Sequence, residues 1–176
     1  MFRILITDDL SPQGLAKLEA DPDVRFDLVD NRDAGHLAGI LKDYDAWIIR
    51  SRTQITAELL KQADRLKVIG RAGVGVDNVD VHSASLRGIV VMNTPGASTV
   101  AVAEYTVALL LALCRNVAQA RASMVAGEWE RDRFVGVDLS GKTLGIIGLG
   151  QIGAQVSRRC QAFGVHILAY DPYLSD

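Results

Sequence analysis

Between residues 143 and 171 five features follow one another without a gap, and together they admit very few folds. Residues 143–147 (TLGII) form a short apolar run, as a buried strand does. Gly148-Leu149-Gly150-Gln151-Ile152-Gly153 follows directly, a complete G-x-G-x-x-G. Over 151–163 the apolar residues Ile152, Val156, Cys160 and Phe163 fall on or near one helical face. Residues 166–170 form a second strand, which ends on the acid Asp171. Strand, glycine turn, helix, strand and acid, in that order, are what make the glycine pattern informative.

Each part has a physical reason. Gly148 makes the tight turn. Gly150 lacks a Cβ, so a pyrophosphate can approach the backbone, and Gly153 lets helix and strand pack closely. The helix N-terminus offers free N–H groups and the positive end of its dipole to a phosphate. Asp171 follows Gly148 by 23 residues, where an acid that hydrogen-bonds a ribose 2′-hydroxyl belongs. A carboxylate there repels a 2′-phosphate, which favours NAD over NADP. The segment therefore reads as the opening of a Rossmann-type nucleotide domain.

Upstream, the pattern alternates. Strands are expected at 2–7, 25–29, 46–49, 66–70 and 89–92. Helices lie between them: one opened by Ser11 and Pro12, one capped by Asp33 and running to Leu41, one capped by Thr56, and a short one over 79–86. The turn Asn93-Thr94-Pro95-Gly96 closes the series. Five short apolar strands separated by helices predict a parallel sheet covered on both faces, in a flavodoxin-like layer.

After Gly96 the pattern changes. Ser98 or Thr99 can cap one long helix to about Ala126, roughly 28 residues and about 42 Å. Its middle is apolar nearly all round, which suits either a core helix or a subunit interface. A polar loop over 127–140 leads to the glycine unit.

Composition excludes several classes. Of 176 residues, Lys and Arg number 19 and Asp and Glu 21, for a net charge of −2. Such a balance gives no electrostatic footprint for nucleic acid. The longest strongly apolar run, 107–114, is too short to span a membrane. Cys114 and Cys160 have no paired spacing, which argues against a disulfide or a metal site and fits a reducing, cytoplasmic setting.

Two other segments can carry chemistry. Arg50-Ser51-Arg52-Thr53 sits at the carboxyl end of a strand, the ligand edge of a parallel sheet. Its guanidiniums and hydroxyls can clamp a carboxylate or phosphate, or it is a solvated loop. The glycine cluster over 70–77 is a backbone loop for a small anion or a plain strand-end turn. His36, His82 and His166 have no acid arranged around them and read as structural.

RSRT at 50–53, GRAGVGVDNVD at 70–80, VMNTPGAS at 91–98, GEWERDRF at 127–134 and GKTLGIIGLGQIG at 141–153 together resemble the D-2-hydroxyacid dehydrogenases, in particular their phosphoglycerate-oxidising branch. The resemblance covers residues 4–172. It implies a substrate domain over 1–96 and the first part of an NAD-binding domain over 97–176. Arg50, Ser51 and Arg52 then hold the substrate's anionic groups. Gly73, Val74 and Gly75 meet its carboxylate, Asn93 lies near hinge and substrate, and Arg131 reaches the substrate phosphate of a neighbouring subunit. Gly148, Gly150, Gln151, Ile152, Gly153 and Asp171 hold NAD, with Val102 and Thr106 near the nicotinamide.

The family's catalytic arginine, glutamate and histidine match nothing in this chain, so no catalytic residue is assigned. Two parallel strands are few for a nucleotide sheet, and the expectation is a truncated dehydrogenase, inactive alone. Its parent would oxidise 3-phospho-D-glycerate to 3-phosphohydroxypyruvate, towards serine, as a cytoplasmic homodimer paired through the 99–126 region. The alternatives are a glyoxylate or hydroxypyruvate reductase of the same family, and a non-catalytic NAD(H)-binding fragment.

Overall fold

The structure is a computed structural model, and it describes residues 1–30 and 33–174. The chain divides into two compact units, Met1–Ala97 and Ser98–Asp176.

The first unit alternates strand and helix: β1 (Phe2–Ile6), α1 (Pro12–Glu19), β2 (Val24–Leu28), α2 (Ala34–Ile40), β3 (Ala46–Ile49), α3 (Ala57–Lys61), β4 (Val68–Arg71), α4 (Val81–Leu86) and β5 (Val90–Asn93). Local chemistry sets the helix starts. Ser11, Asp33, Thr56 and Asp80 each accept a hydrogen bond from the backbone N–H three residues on, which satisfies a donor the first turn leaves open. Asp80 is why α4 begins at Val81 and not at Val79. The N–H and hydroxyl of Ser83 hold the Asp80 carboxyl below its usual range.

All five strands are parallel, in the order β2-β1-β3-β4-β5. This is the flavodoxin-like order. Leu5, Trp47, Ile49 and Ile69 line one face and form a core with Leu37, Leu41, Leu60 and Ala84. The opposite face departs from the expected double cover. Only one crossover in this strand order runs in the β1-to-β2 direction, whereas three run the other way. Right-handed crossovers therefore put α1 alone on one face and α2, α3 and α4 on the other. No residue of α1 is buried, and Val90 and Met92 remain 57% and 58% exposed.

The second unit opens with two helices where one was expected. α5 (Thr99–Cys114) and α6 (Val117–Val125) meet at a 63° bend. Asn116 sits between them at φ 51° and ψ 34°, a left-handed conformation that ends a right-handed helix and that asparagine tolerates better than most residues. Ser98 precedes α5 without a side-chain capping bond. Of α5 only Ala103 and Val107 are buried, in a small core with Val156, Cys160 and Val165. Tyr105, Leu109 and Leu113 are exposed. The loop expected over 127–140 contains a short 3₁₀ turn, Arg131–Phe134. β6 (Thr143–Ile147), α7 (Gln151–Gln161) and β7 (His166–Tyr170) complete a parallel unit of two strands. Burial pushes the Cys160 thiol up. Among the described residues no single helix is long and apolar enough to cross a membrane, and no group of three or more His, Cys, Asp or Glu could hold a metal.

Candidate functional site

In the second unit the three glycines have different tasks. Gly148 lies at φ +90°, open to glycine and strained for other residues. Its N–H donates to the Tyr170 carbonyl at 2.7 Å, which ties the turn to the end of β7. A Cβ on Gly153 would overlap the Gly148 carbonyl oxygen, so this glycine permits the close helix–strand approach. A Cβ on Gly150 would meet nothing within 4 Å. That open space beside the loop leaves room for a phosphate to approach the backbone, and α7 starts there without a side-chain cap. The backbone N–H groups of Gln151 and Ile152 have no protein acceptor among the described residues. The cradle therefore fits a nucleotide phosphate.

Asp171 stands beside this cradle. Its Oδ2 accepts from the Leu149 N–H at 2.7 Å, and its Oδ1 accepts from the Tyr173 N–H at 3.0 Å. Each carboxylate oxygen has a second lone pair, which leaves capacity for ribose hydroxyls. Gln151 accepts from the Thr99 hydroxyl at 3.3 Å. Thr106 donates its hydroxyl to the Val102 carbonyl at 2.8 Å. Thr106 lines an open groove of about 400 Å³ with Gly148, Ile152 and Gly153. Val102 is not part of that lining.

In the first unit the 50–53 loop follows β3, at the carboxyl edge of the sheet. Its four side chains separate into two sets. Arg50 and Ser51 are exposed, and the Arg50 guanidinium has no protein partner among the described residues. Arg52 is occupied: it donates to Asp9 Oδ2 at 2.5 Å and its Nε lies 3.5 Å from Asp8 Oδ1. Thr53 is turned inward, and its hydroxyl shares a 2.8 Å hydrogen bond with that of Thr7, which also accepts from the Trp47 indole. Among the described residues, the guanidinium of this loop left available to an anion is thus that of Arg50.

The glycine cluster after β4 lies against the end of β5. The Asn93 amide donates to the Val74 carbonyl at 2.7 Å, and the Thr94 N–H donates to the Gly73 carbonyl at 2.9 Å. Val74 and Gly75 keep backbone N–H groups with no protein acceptor among the described residues, as a small-anion loop needs. The Arg71 guanidinium folds over Gly73, where a Cβ would collide with it. Arg131 is exposed and lies in the second unit, in a small cleft with Met124, Trp129 and Phe134.

Sequence reasoning missed Asp8 and Asn78, which hold the 50–53 loop from outside it. Asp8 carried one readable signal, its position just past β1 at the ligand edge. Asn78 carried none.

The model of the "D-isomer specific 2-hydroxyacid dehydrogenase, catalytic domain" matches residues 4–163. The chain is 48% identical over 174 residues to D-3-phosphoglycerate dehydrogenase of Methanocaldococcus jannaschii, covering 99% of this chain and 33% of that protein. It is 51% identical to the enzyme of the same name from Archaeoglobus fulgidus, with the same coverage. Among solved structures, the NAD-dependent formate dehydrogenase of Staphylococcus aureus in complex with NAD superimposes with a TM-score of 0.86 at 31% identity, over 98% of this chain and 57% of that one. The chain thus spans about a third of the length of these curated relatives.

Proposed function

The chain belongs to the D-isomer specific 2-hydroxyacid dehydrogenase family, and from that premise we propose that the protein it represents is an NAD-dependent D-3-phosphoglycerate dehydrogenase. The reaction is oxidation of 3-phospho-D-glycerate to 3-phosphohydroxypyruvate, a step towards serine. NAD, when bound, supplies the hydride acceptor. This chain's own residues bind and orient.

The observation that carries the reading is the open cradle at Gly150 with Asp171 beside it. The N–H groups at the start of α7 receive the pyrophosphate, and the Asp171 carboxylate takes the ribose hydroxyls while repelling a 2′-phosphate. At the other unit, Arg50 and Ser51 receive an anionic group of the substrate, and the backbone N–H groups of Val74 and Gly75 receive its carboxylate. Arg131 adds a guanidinium for the phosphate of a substrate bound in a second copy. The exposed apolar residues Tyr105, Leu109 and Leu113 of α5 support pairing of two copies through the 99–126 region, in a cytoplasmic enzyme. The proton-transferring groups come from a part of the protein outside these residues.

The test is turnover by the full-length protein. NAD reduction with 3-phospho-D-glycerate should far exceed NADH oxidation with glyoxylate or hydroxypyruvate. The reverse ranking would assign a glyoxylate or hydroxypyruvate reductase. NADH binding without turnover of either substrate set would leave only a nucleotide-binding role.

A further inference from the structure

The 50–53 loop does not hold its own shape. A tight loop commonly caps itself with neighbouring side chains. Here the backbone at both ends is satisfied by two side chains from distant segments. The Arg50 N–H donates to Asp8 Oδ2 at 2.7 Å, and the Thr53 N–H donates to the same oxygen at 3.2 Å. The Asn78 amide donates to the Arg50 carbonyl at 2.7 Å and to the Thr53 carbonyl at 2.6 Å. One side chain accepts from the loop's N–H groups and the other donates to its carbonyls, so the loop is gripped by both kinds of polar group. We propose that Asp8 and Asn78 are positioning residues for the substrate, a buried bracket that fixes the 50–53 backbone and aims Arg50 at the substrate's anionic end. This rests on the dehydrogenase reading above.

Three observations support more than a generic loop anchor. The Asp8 side chain is 1% exposed, and a carboxylate is costly to bury unless its hydrogen bonds and charge are compensated. The loop contributes to that compensation through two N–H groups on Oδ2 and the Arg52 guanidinium 3.5 Å from Oδ1. That contact, with Asp9, also withdraws Arg52 and leaves Arg50 as the loop's cation without a partner among the described residues. Asn78 is 4% exposed, and its Oδ1 is buried with no donor among the described residues. An amide placed only for stability would be expected to use its acceptor. Asn78 instead commits its donors to the loop. Finally, Asn78 belongs to the segment that carries Gly73 and Gly75, and its own carbonyl accepts from the Ile55 N–H at 2.8 Å. The bracket thus links the two backbone loops that face the substrate. Neither residue need touch the substrate, so both act through Arg50.

The test uses the full-length protein and its Asp8→Ala, Asp8→Asn and Asn78→Asp variants. Asp8→Ala removes the acceptor, and Asn78→Asp sets a carboxylate against two carbonyls. Both should raise the KM for the keto or hydroxy acid about tenfold or more, with NADH affinity unchanged and kcat altered less than about threefold. Asp8→Asn keeps an acceptor oxygen and should fall between these and the wild type. Amide hydrogen exchange at 50–55 should accelerate in the same order, with the β1 and β3 amides unaffected. An unchanged KM would overturn the proposal. So would a KM that rises only together with loss of NADH affinity and faster exchange throughout the first unit, which is the signature of a structural role alone. If Asp8→Ala does not fold, Asp8→Asn decides: no change in exchange or KM overturns the bracket. If the wild type turns over no such acid, the dehydrogenase reading fails separately. Exchange then decides, because acceleration confined to 50–55 supports the bracket and its absence overturns it.

Discussion

The glycine loop after β6 and the arginine loop after β3 both lie at the carboxyl end of a parallel strand, yet they are built in opposite ways. The glycine loop is made by residues within one short stretch. Its turn depends on the positive φ of Gly148, its packing on the missing Cβ of Gly153, and its open face on Gly150. The arginine loop has no special backbone conformation of its own. It is held by Asp8, Asn78, Thr7 and the indole of Trp47, which the sheet order brings together. A phosphate cradle can be specified by backbone conformation, because backbone N–H groups are the ligands. A side-chain clamp must be aimed, and aiming requires contacts from elsewhere in the fold.

That contrast can be broken at several points. The largest effect is expected from Gly153→Val. The new side chain overlaps the carbonyl oxygen of Gly148, a residue whose N–H is tied to the Tyr170 carbonyl. Overpacking of this kind costs about 1–3 kcal/mol or more. NADH affinity should be lost in a titration, while a change confined to the second unit leaves the near-UV signal of Trp47 intact. Next comes Asp171→Ala. It removes the proposed ribose acceptor and frees the Leu149 N–H, so NAD should bind about ten- to a hundredfold more weakly and discrimination against NADP should relax. An unchanged cofactor preference would remove Asp171 from the site.

Asp45 supplies a control at the opposite edge of the first sheet. The Arg3 backbone N–H, against the opposing effect of burial, and then the Arg65 guanidinium hold its carboxyl below the usual range. A depressed folded pKa stabilises fully above the ordinary carboxylate value of about 3.9 and less as pH falls through the folded value. Asp45→Asn should therefore cost about 1–2 kcal/mol at pH 7. In urea titrations the gap to the wild type should close below about pH 4, with NADH affinity unchanged at pH 7. The smallest effect is expected from Arg52→Ala. Its ion pair with Asp9 is between exposed groups, and such pairs contribute less than about 1 kcal/mol, while Asp8, 3.5 Å from its Nε, keeps the Arg50 and Thr53 N–H donors when Arg52 is removed. The KM should rise only about two- to threefold. A rise matching that of Arg50→Ala would show that Arg52 shares the anion and that its acidic partners do not withdraw it.

Legibility followed the same division. The strands, the N-caps Ser11, Asp33 and Thr56 and the glycine unit could be read because each depends on residues close to one another along the chain, whereas the cap Asp80 fell inside the helix expected from residue 79. The break at Asn116 escaped because the flanking residues are all compatible with helix, and one left-handed residue decides the matter. The exposure of Val90 and Met92 escaped for a different reason. Alternation predicts a parallel sheet, but the number of crossovers on each face depends on strand order, which local pattern does not contain.

The sequence by itself determined the two parallel units and the glycine turn with the acid beside it, since the strand and helix patterns and the glycines that shape the turn each lie within one short stretch of chain. Tertiary structure alone decided which arginine of the 50–53 loop is free. Asp8 and Asp9 reach Arg52 across more than 40 residues of chain, and Asn78 closes on the loop from the segment that follows β4. Charge pairing is set by distance in space, and only the folded sheet, by placing the ends of β1, β3 and β4 side by side, fixes that distance.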